Sequence, residues 1–431
     1  MCEKRRAAPP LNPNERAAPP ARVDDVLVVA LQNPQVARDA AELIDAGRPV
    51  MGALGVVKRY VDGHHGASFS LLHPSLSTII NESVRWQLGV PETDDPVRAR
   101  LAQIYILRLA AAKDGPALEN ALRADAQSIA YVHYPAVRQA LDLDQDCQRG
   151  EGAGIDWGLV TCHFPNVWTQ LDSADSAPAI GIIDQGGATG HPALTGKITL
   201  QVPALGASTS THASSVAAII AATRKERPLR GCCSAELHLY NVWTANEQFD
   251  PCAYYQALLA VATPALPVVN LSIGGTAEDK TEEDHVKHCL ASNVVLVAAI
   301  GNLADNGPAT FPARYAGVVA VGATTASDVP VACSTRGAQM WISAPGERIL
   351  TIDGDRFGWL TGTSFAAPFV TAAVWLARRN KPCLTVDEIR DLLKHSVAPC
   401  TVPLGGRSAD LGHGRLDMVT LKAALDAKTC M

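Results

Sequence analysis

The chain has 431 residues, of which 47% are apolar, 19% charged and 5% aromatic, with a formal net charge of -6. That mildly acidic balance, with no Lys/Arg run resembling a polybasic arm, argues against a nucleic-acid partner. No stretch approaches about 18 uninterrupted apolar residues, which excludes a hydrophobic helix across a membrane.

Residues 1–24 contain AAPP twice and little to bury, and read as a flexible tail. Arg5-Arg6 is not followed by a hydrophobic region. The first apolar run, Val26–Leu31, is too short for a signal-peptide core, so the expected location is the cytoplasm. Eleven cysteines, an odd number without CxxC pairs, read mostly as free thiols serving as small apolar residues, with a bridge or two as the alternative.

From Asp25 to Gln32 the pattern predicts a strand, then an amphipathic helix over Pro34–Ala46, then an ambiguous stretch to about Thr93. A clear strand–helix–strand follows: Gln103–Leu109, Gly115–Ala124 and Ser128–Tyr134. Together these suggest a small α+β domain over residues 25–140, with two helices on one sheet face. Residues 141–151 read as a linker, and a short helix is expected around Gly154–Trp157.

Residues 152–431 read as a larger domain in which strands and helices alternate. Strands are predicted at Ala179–Asp184, Glu236–Val242, Val268–Ser272, Val294–Ala298 and Val318–Ala323. Helices are predicted at Ser210–Ala222, Cys252–Ala262, 281–292 and from Ser364 to about Arg379. Continuous apolar runs such as VVNLSI and VVLVAA are what a parallel sheet covered on both faces requires. The fold class expected is therefore α/β, a parallel sheet with helices on both faces.

Four local patterns carry chemistry. Asp184 ends a buried strand and is followed by Gln185-Gly186, at the sheet edge where α/β enzymes place their sites. His212 opens a helix lined by small residues. Ser364 stands at the mouth of another, where Pro368 is expected to be tolerated because it is near the first turn. Asn302 follows Gly301 after a buried strand. Taken singly, each has a bland explanation: a turn former, a structural histidine, a helix cap, a turn asparagine. The order Asp–His–Asn–Ser has none.

In that order the chain resembles the subtilisin-like serine peptidases, the subtilases. The match runs through Asp184–Gly186, His212–Ala218, Asn270–Gly275, Phe311–Ala323, Gly362–Pro368 and Gly412–Asp417. The resemblance implies a triad of Asp184, His212 and Ser364, with Asn302 as oxyanion donor. It implies a substrate cleft edged by Ser272, Ile273 and Gly274 and completed by Ala299, Gly301, Thr310 and Thr363. A polypeptide is the implied substrate, and neither a cofactor nor a metal is called for. A serine hydroxyl needs a base to take its proton, which His212 would supply while Asp184 holds its tautomer.

Gln185 stands where relatives have Ser or Thr, and Ala213, Ser215 and Ala218 replace Gly, His and Gly; none supplies a reacting atom. Thr223–Arg230 is too short for the calcium-binding loop of many relatives. Thr310, at the implied pocket floor, suggests a shallower and more polar pocket.

Residues 101–134 resemble the second half of the inhibitory propeptide of subtilases, a small ferredoxin-like domain that lays its C-terminal tail in the cleft. The implied partner is thus the chain's own N-terminal domain, as an intramolecular inhibitor, with self-cleavage expected within Leu141–Gly154. The alternative is an interaction domain that stays attached. Asp284, His285, His288 and Cys289 have ligand types at helical spacing but no partner group, and read as an exposed helix face. A serine-carboxyl peptidase would have Glu and Asp for His212 and Asn302, and an α/β-hydrolase would need a Gly-x-Ser-x-Gly elbow.

Overall fold

The computed structural model describes residues 22–32, 52–72, 100–101, 103–141, 154–172, 177–187, 190–202, 208, 210–224, 228–304, 307–398 and 406–429. The expected helix at Pro34–Ala46, and most of the tail and linker, lie outside them.

The first sheet is built from β1 (Val26–Leu31), β2 (Ser68–Leu71), β3 (Ile104–Arg108) and β4 (Ile129–His133). Their order is β2-β3-β1-β4, with every pairing antiparallel. All six residues of β1 are buried, because both of its faces are covered. Leu27, Val29 and Leu31 share a cluster with Leu54, Val57, Leu118 and Leu122, from the helices Gly52–Gly63 and Gly115–Arg123. Val26, Val28 and Ala30 point the other way, into a second cluster with Tyr254, Leu258 and Val286 of the larger domain. Each fully buried Val or Leu is worth roughly 1.5–3 kcal/mol of transfer free energy, so this face fastens the small domain to the large one.

A two-residue strand, β5 (Gln139–Ala140), leaves the small domain and pairs antiparallel with β10 (Ile273–Gly274). The large sheet comprises β6 (Ile180–Asp184), β7 (Ile198–Val202), β8 (Leu237–Asn241), β9 (Val268–Leu271), β11 (Val295–Ala299), β12 (Val319–Thr324) and β13 (Ile342–Pro345). Its order is β13-β12-β11-β9-β6-β8-β7, parallel throughout. β14 (Ile349–Asp353) and β15 (Arg356–Leu360) form a hairpin beside it. Alternate strand residues enter different cores, which puts helices on both faces. Ile180, Ile182, Val295 and Val297 meet the helices His212–Ala221 and Thr363–Asn380. Ile183, Val269, Leu296 and Ala298 meet Pro251–Val261 and Lys280–Ala291.

Three expectations need correction. Pro368 sits in the second turn of the Thr363–Asn380 helix. Its missing N–H would have bonded the Ser364 carbonyl, and that carbonyl instead accepts from Ser272 Oγ at 2.9 Å. The face of Asp284, His285, His288 and Cys289 is buried, because it packs on the Pro251–Val261 helix and on β4. Tyr131 Oη donates to Asp284 at 3.2 Å, the His285 ring stacks on Tyr255 at 5.5 Å, and Cys289 bonds the Leu258 carbonyl. The short helix expected around Gly154–Trp157 begins later and spans Trp157–Thr161.

Cys162, Cys232, Cys233, Cys252 and Cys289 are free thiols, all but Cys252 buried. Cys383 is disulfide-bonded. Among the described residues no helix is long and apolar enough to cross a membrane.

Candidate active site

Asp184 ends β6, an interior strand of the large sheet, and both it and His212 are buried. His212 Nδ1 lies 2.5 Å from Asp184 Oδ1, and the same oxygen accepts the Gln185 N–H at 2.6 Å. The turn after Asp184 requires glycine: Gly186 has φ +89°, and a Cβ there would fall on the Ser210 carbonyl. Asn241 Oδ1 holds the Gly186 N–H at 2.9 Å, and the Ala213 N–H bonds the Gln185 carbonyl at 3.0 Å. The strand end and the histidine helix are thereby tied together at the imidazole.

The Thr363–Asn380 helix packs against the His212 helix, and the His212 ring is 5.8 Å from that of Phe365. Ser364 lies inside the first turn rather than at its cap, which is Gly362. Its hydroxyl caps no backbone N–H. Ser364 Oγ donates to the Leu141 carbonyl at 2.9 Å, with Ser272 O at 3.1 Å as the other acceptor. Behind it runs a buried polar chain in which Thr371 Oγ1 donates to Asn270 Oδ1, Asn270 Nδ2 to Ser272 Oγ, and Ser272 Oγ to Ser364 O, each at 2.9 Å.

Asn302 is no simple turn residue. Its Oδ1 accepts from the Thr363 N–H at 3.0 Å and from Thr363 Oγ1 at 2.9 Å, while Thr363 Oγ1 accepts the Gly301 N–H at 3.3 Å. Those bonds set which way the amide faces. Asn302 Nδ2 then donates to the Leu141 carbonyl at 2.5 Å.

The segment ending at Leu141 therefore lies across the site as an extended strand. Ala140 pairs with Ile273, Gln139 with Gly274, and the Leu141 N–H bonds the Ser272 carbonyl at 3.3 Å. The Leu141 side chain is buried in the same apolar cluster as Ala299, which ends β11. A Cβ on Gly274 would stand 3.0 Å from Leu141 Cδ1 and would also collide with Thr310 Oγ1. Thr310 Oγ1 donates to the Ile300 carbonyl at 3.2 Å, and a Cβ on Gly301 would meet Thr310 Cγ2 at 2.8 Å. Ser272, Ile273, Gly274, Asn302, Thr310 and Ser364 thus lie around Leu141 or against its neighbours, with Ala299, Gly301 and Thr363 behind them, while Asp184 and His212 are joined to each other and reach the Ser364 helix through Phe365.

A family model described as the subtilase family matches residues 175–417, more than half of the chain. The chain belongs to the subtilase family of serine endopeptidases. Subtilisin Savinase of Lederbergia lenta is 34% identical over 187 residues, covering 43% of this chain and 69% of that protein. The alkaline protease of Shouchella clausii is 34% identical over 187 residues, 43% of this chain and 49% of that protein. The minor extracellular protease Epr of Bacillus subtilis (strain 168) is 30% identical over 207 residues, 47% of this chain and 32% of its own length. The matched stretch spans less than half of each of the last two.

Two departures of this subtilase from the pattern of its relatives, Gln185 and Ser215, have local accounts. Gln185 Nε2 donates to Glu247 at 2.8 Å, and Glu247 also accepts from Ser208 Oγ at 2.5 Å. Ser215 Oγ bonds the Ile352 carbonyl, and Thr351 Oγ1 returns a 2.6 Å bond to the Ser215 carbonyl, which clamps the histidine helix to β14. Sequence reasoning also missed Arg138, in the segment leading to Leu141, and the residues around it and its neighbours, Tyr254, Asp279 and Glu282. No local motif marks them, since their partners are far away in the chain.

Proposed function

We propose that this subtilase cuts peptide bonds through Asp184, His212 and Ser364, and that its first substrate is the bond following its own Leu141. The supporting observation is the Leu141 carbonyl, held by Asn302 Nδ2 and touched by Ser364 Oγ while β5 pairs with β10 as a substrate strand would.

In this reading Ser364 Oγ bonds to the Leu141 carbonyl carbon as its proton passes to His212. Asp184 holds the imidazole tautomer and stabilises the imidazolium. The carbonyl oxygen becomes an oxyanion stabilised by the Asn302 amide and the Ser364 backbone N–H. Collapse breaks the C–N bond, and His212 returns its proton to the leaving amine. Water then releases Leu141 as a carboxylate by the same steps in reverse. The product remains zipped to β10 and anchored through β1, so the N-terminal domain acts as an inhibitor until it departs. Other polypeptides would then enter the same cleft.

Intact mass of the purified wild-type chain beside Ser364→Ala tests this. The expected result is a wild-type chain divided after Leu141 and an undivided variant. Division of both chains, or of neither, would count against it.

A further inference from the structure

Three residues before Leu141, Arg138 is buried to 1% exposure, the most enclosed charged side chain of the tail. Arg138 Nε donates to Glu282 Oε1 at 3.0 Å and Nη2 to Oε2 at 2.5 Å, the two-pronged match of guanidinium to carboxylate. Tyr254 Oη adds a 2.7 Å bond to Oε1. Glu282 is itself fully buried, in the first turn of the Lys280–Ala291 helix. The cations of that helix are engaged elsewhere: Lys280 and Lys287 both pair with Glu283. Gly275 flanks the guanidinium, and a Cβ there would be 2.9 Å from Arg138 Nη1. Burial by itself would lower the Arg138 pKa, but Glu282 more than reverses this and the guanidinium stays charged.

Resting on the reading of residues 138–141 as a bound substrate strand, we infer that Glu282 and Tyr254 form a specificity pocket for arginine at the fourth residue before the cut. The pocket belongs to the enzyme, and the tail occupies it as any incoming polypeptide would. A carboxylate buried this deeply is costly without a cation. An alanine, an acidic residue or a large apolar residue at this position would leave Glu282 desolvated and without its counter-charge. Lysine could supply charge but not the two parallel bonds. The substrate class is therefore an extended polypeptide carrying arginine three residues before an aliphatic residue at the cut.

The test is a one-pot competition in which self-processed wild-type enzyme meets quenched fluorescent peptides built on Val-Arg-Gln-Ala-Leu. Arginine is kept or replaced by Lys, Ala, Leu or Glu. Because the peptides share one enzyme pool, the ratio of kcat/KM values is independent of how much enzyme is free. The arginine peptide should exceed the alanine peptide by about 30-fold or more, the range for truncating one member of a buried charge pair. Lys should fall between them. Glu282→Gln should reduce the arginine-to-alanine ratio to about 3-fold or less, a change that a general loss of folding would not produce. Equal cleavage of the arginine and alanine peptides, or preference for leucine, would overturn the pocket while leaving the peptidase reading intact. Failure to cut any peptide, with no fluorophosphonate labelling of Ser364, would overturn the peptidase reading itself.

Discussion

The Leu141 carbonyl oxygen and the Asn302 side-chain amide are joined by a 2.5 Å hydrogen bond across 161 residues of sequence. The amide has no freedom to turn away, because Thr363 engages its oxygen twice. Asn302→Ala should therefore lower turnover by roughly 10²–10³, a magnitude known from the same donor in subtilisin itself. Strand pairing at β10 is untouched, so KM should change far less than kcat. Steady-state kinetics on a peptide substrate would check this, and a loss confined to KM would contradict it.

Self-cleavage should depend on the absence of a side chain at Gly275. A Cβ there would press inside van der Waals distance of the Val137 carbonyl and crowd Arg138. Gly275→Ala should slow division after Leu141 at least about tenfold, one tenfold step being about 1.4 kcal/mol of barrier. Gly63→Ala, where a Cβ meets nothing within 4 Å, should process like wild type. Timed gels of freshly refolded chains would compare them.

The Thr371–Asn270–Ser272 chain supports the Ser364 helix from within a fully buried site. Thr371→Val keeps the shape but leaves Asn270 Oδ1 without its 2.9 Å donor. The cost should be about 1–3 kcal/mol, the penalty for an unsatisfied buried polar group. Urea unfolding in a Ser364→Ala background, where self-digestion cannot interfere, would measure it.

His285 makes the fold sensitive to acid. Burial pushes its pKa down to about 4, with Thr281 O and Asp279 opposing and His288 adding to the shift. A base whose folded pKa is depressed binds fewer protons in the native state. Stability is therefore full above the ordinary histidine value and falls as pH drops from about 6.5 towards 4. The loss from this one group is on the order of 3 kcal/mol. His285→Phe, which retains the stacking on Tyr255, should flatten the slope of unfolding free energy between pH 6.5 and 4. An unchanged slope would show that other groups set it.

The strands of the large sheet were legible because burial on both faces demands largely apolar runs, as in β6, β11 and β12, with β8 broken only by His238 before its terminal Asn241 and β9 only by the buried Asn270. β7 was not, since most of its residues are exposed at the sheet edge and carry no such pattern. The helix Val386–Lys394 was not predicted, although its Thr385 and Glu388 form a reciprocal cap whose Thr-x-x-Glu spacing is a sequence signature. The Asp284–Cys289 face misled because its polar residues are covered by β4 and by the Pro251–Val261 helix, neither of them adjacent in sequence.

The catalytic candidates could be named from sequence because each must fit a backbone crossing that only certain neighbours allow. Gly186 passes under Ser210, and alanines line the His212 helix where it meets the Ser364 helix. Such contacts leave their mark within a few residues of the reacting group. What fills the cleft left no such mark. Arg138 and Glu282 stand 144 residues apart, and either one alone is an ordinary charged residue. Only the register of β5 on β10 brings the guanidinium to that carboxylate and the Leu141 carbonyl to Asn302, and register is a property of the assembled sheet.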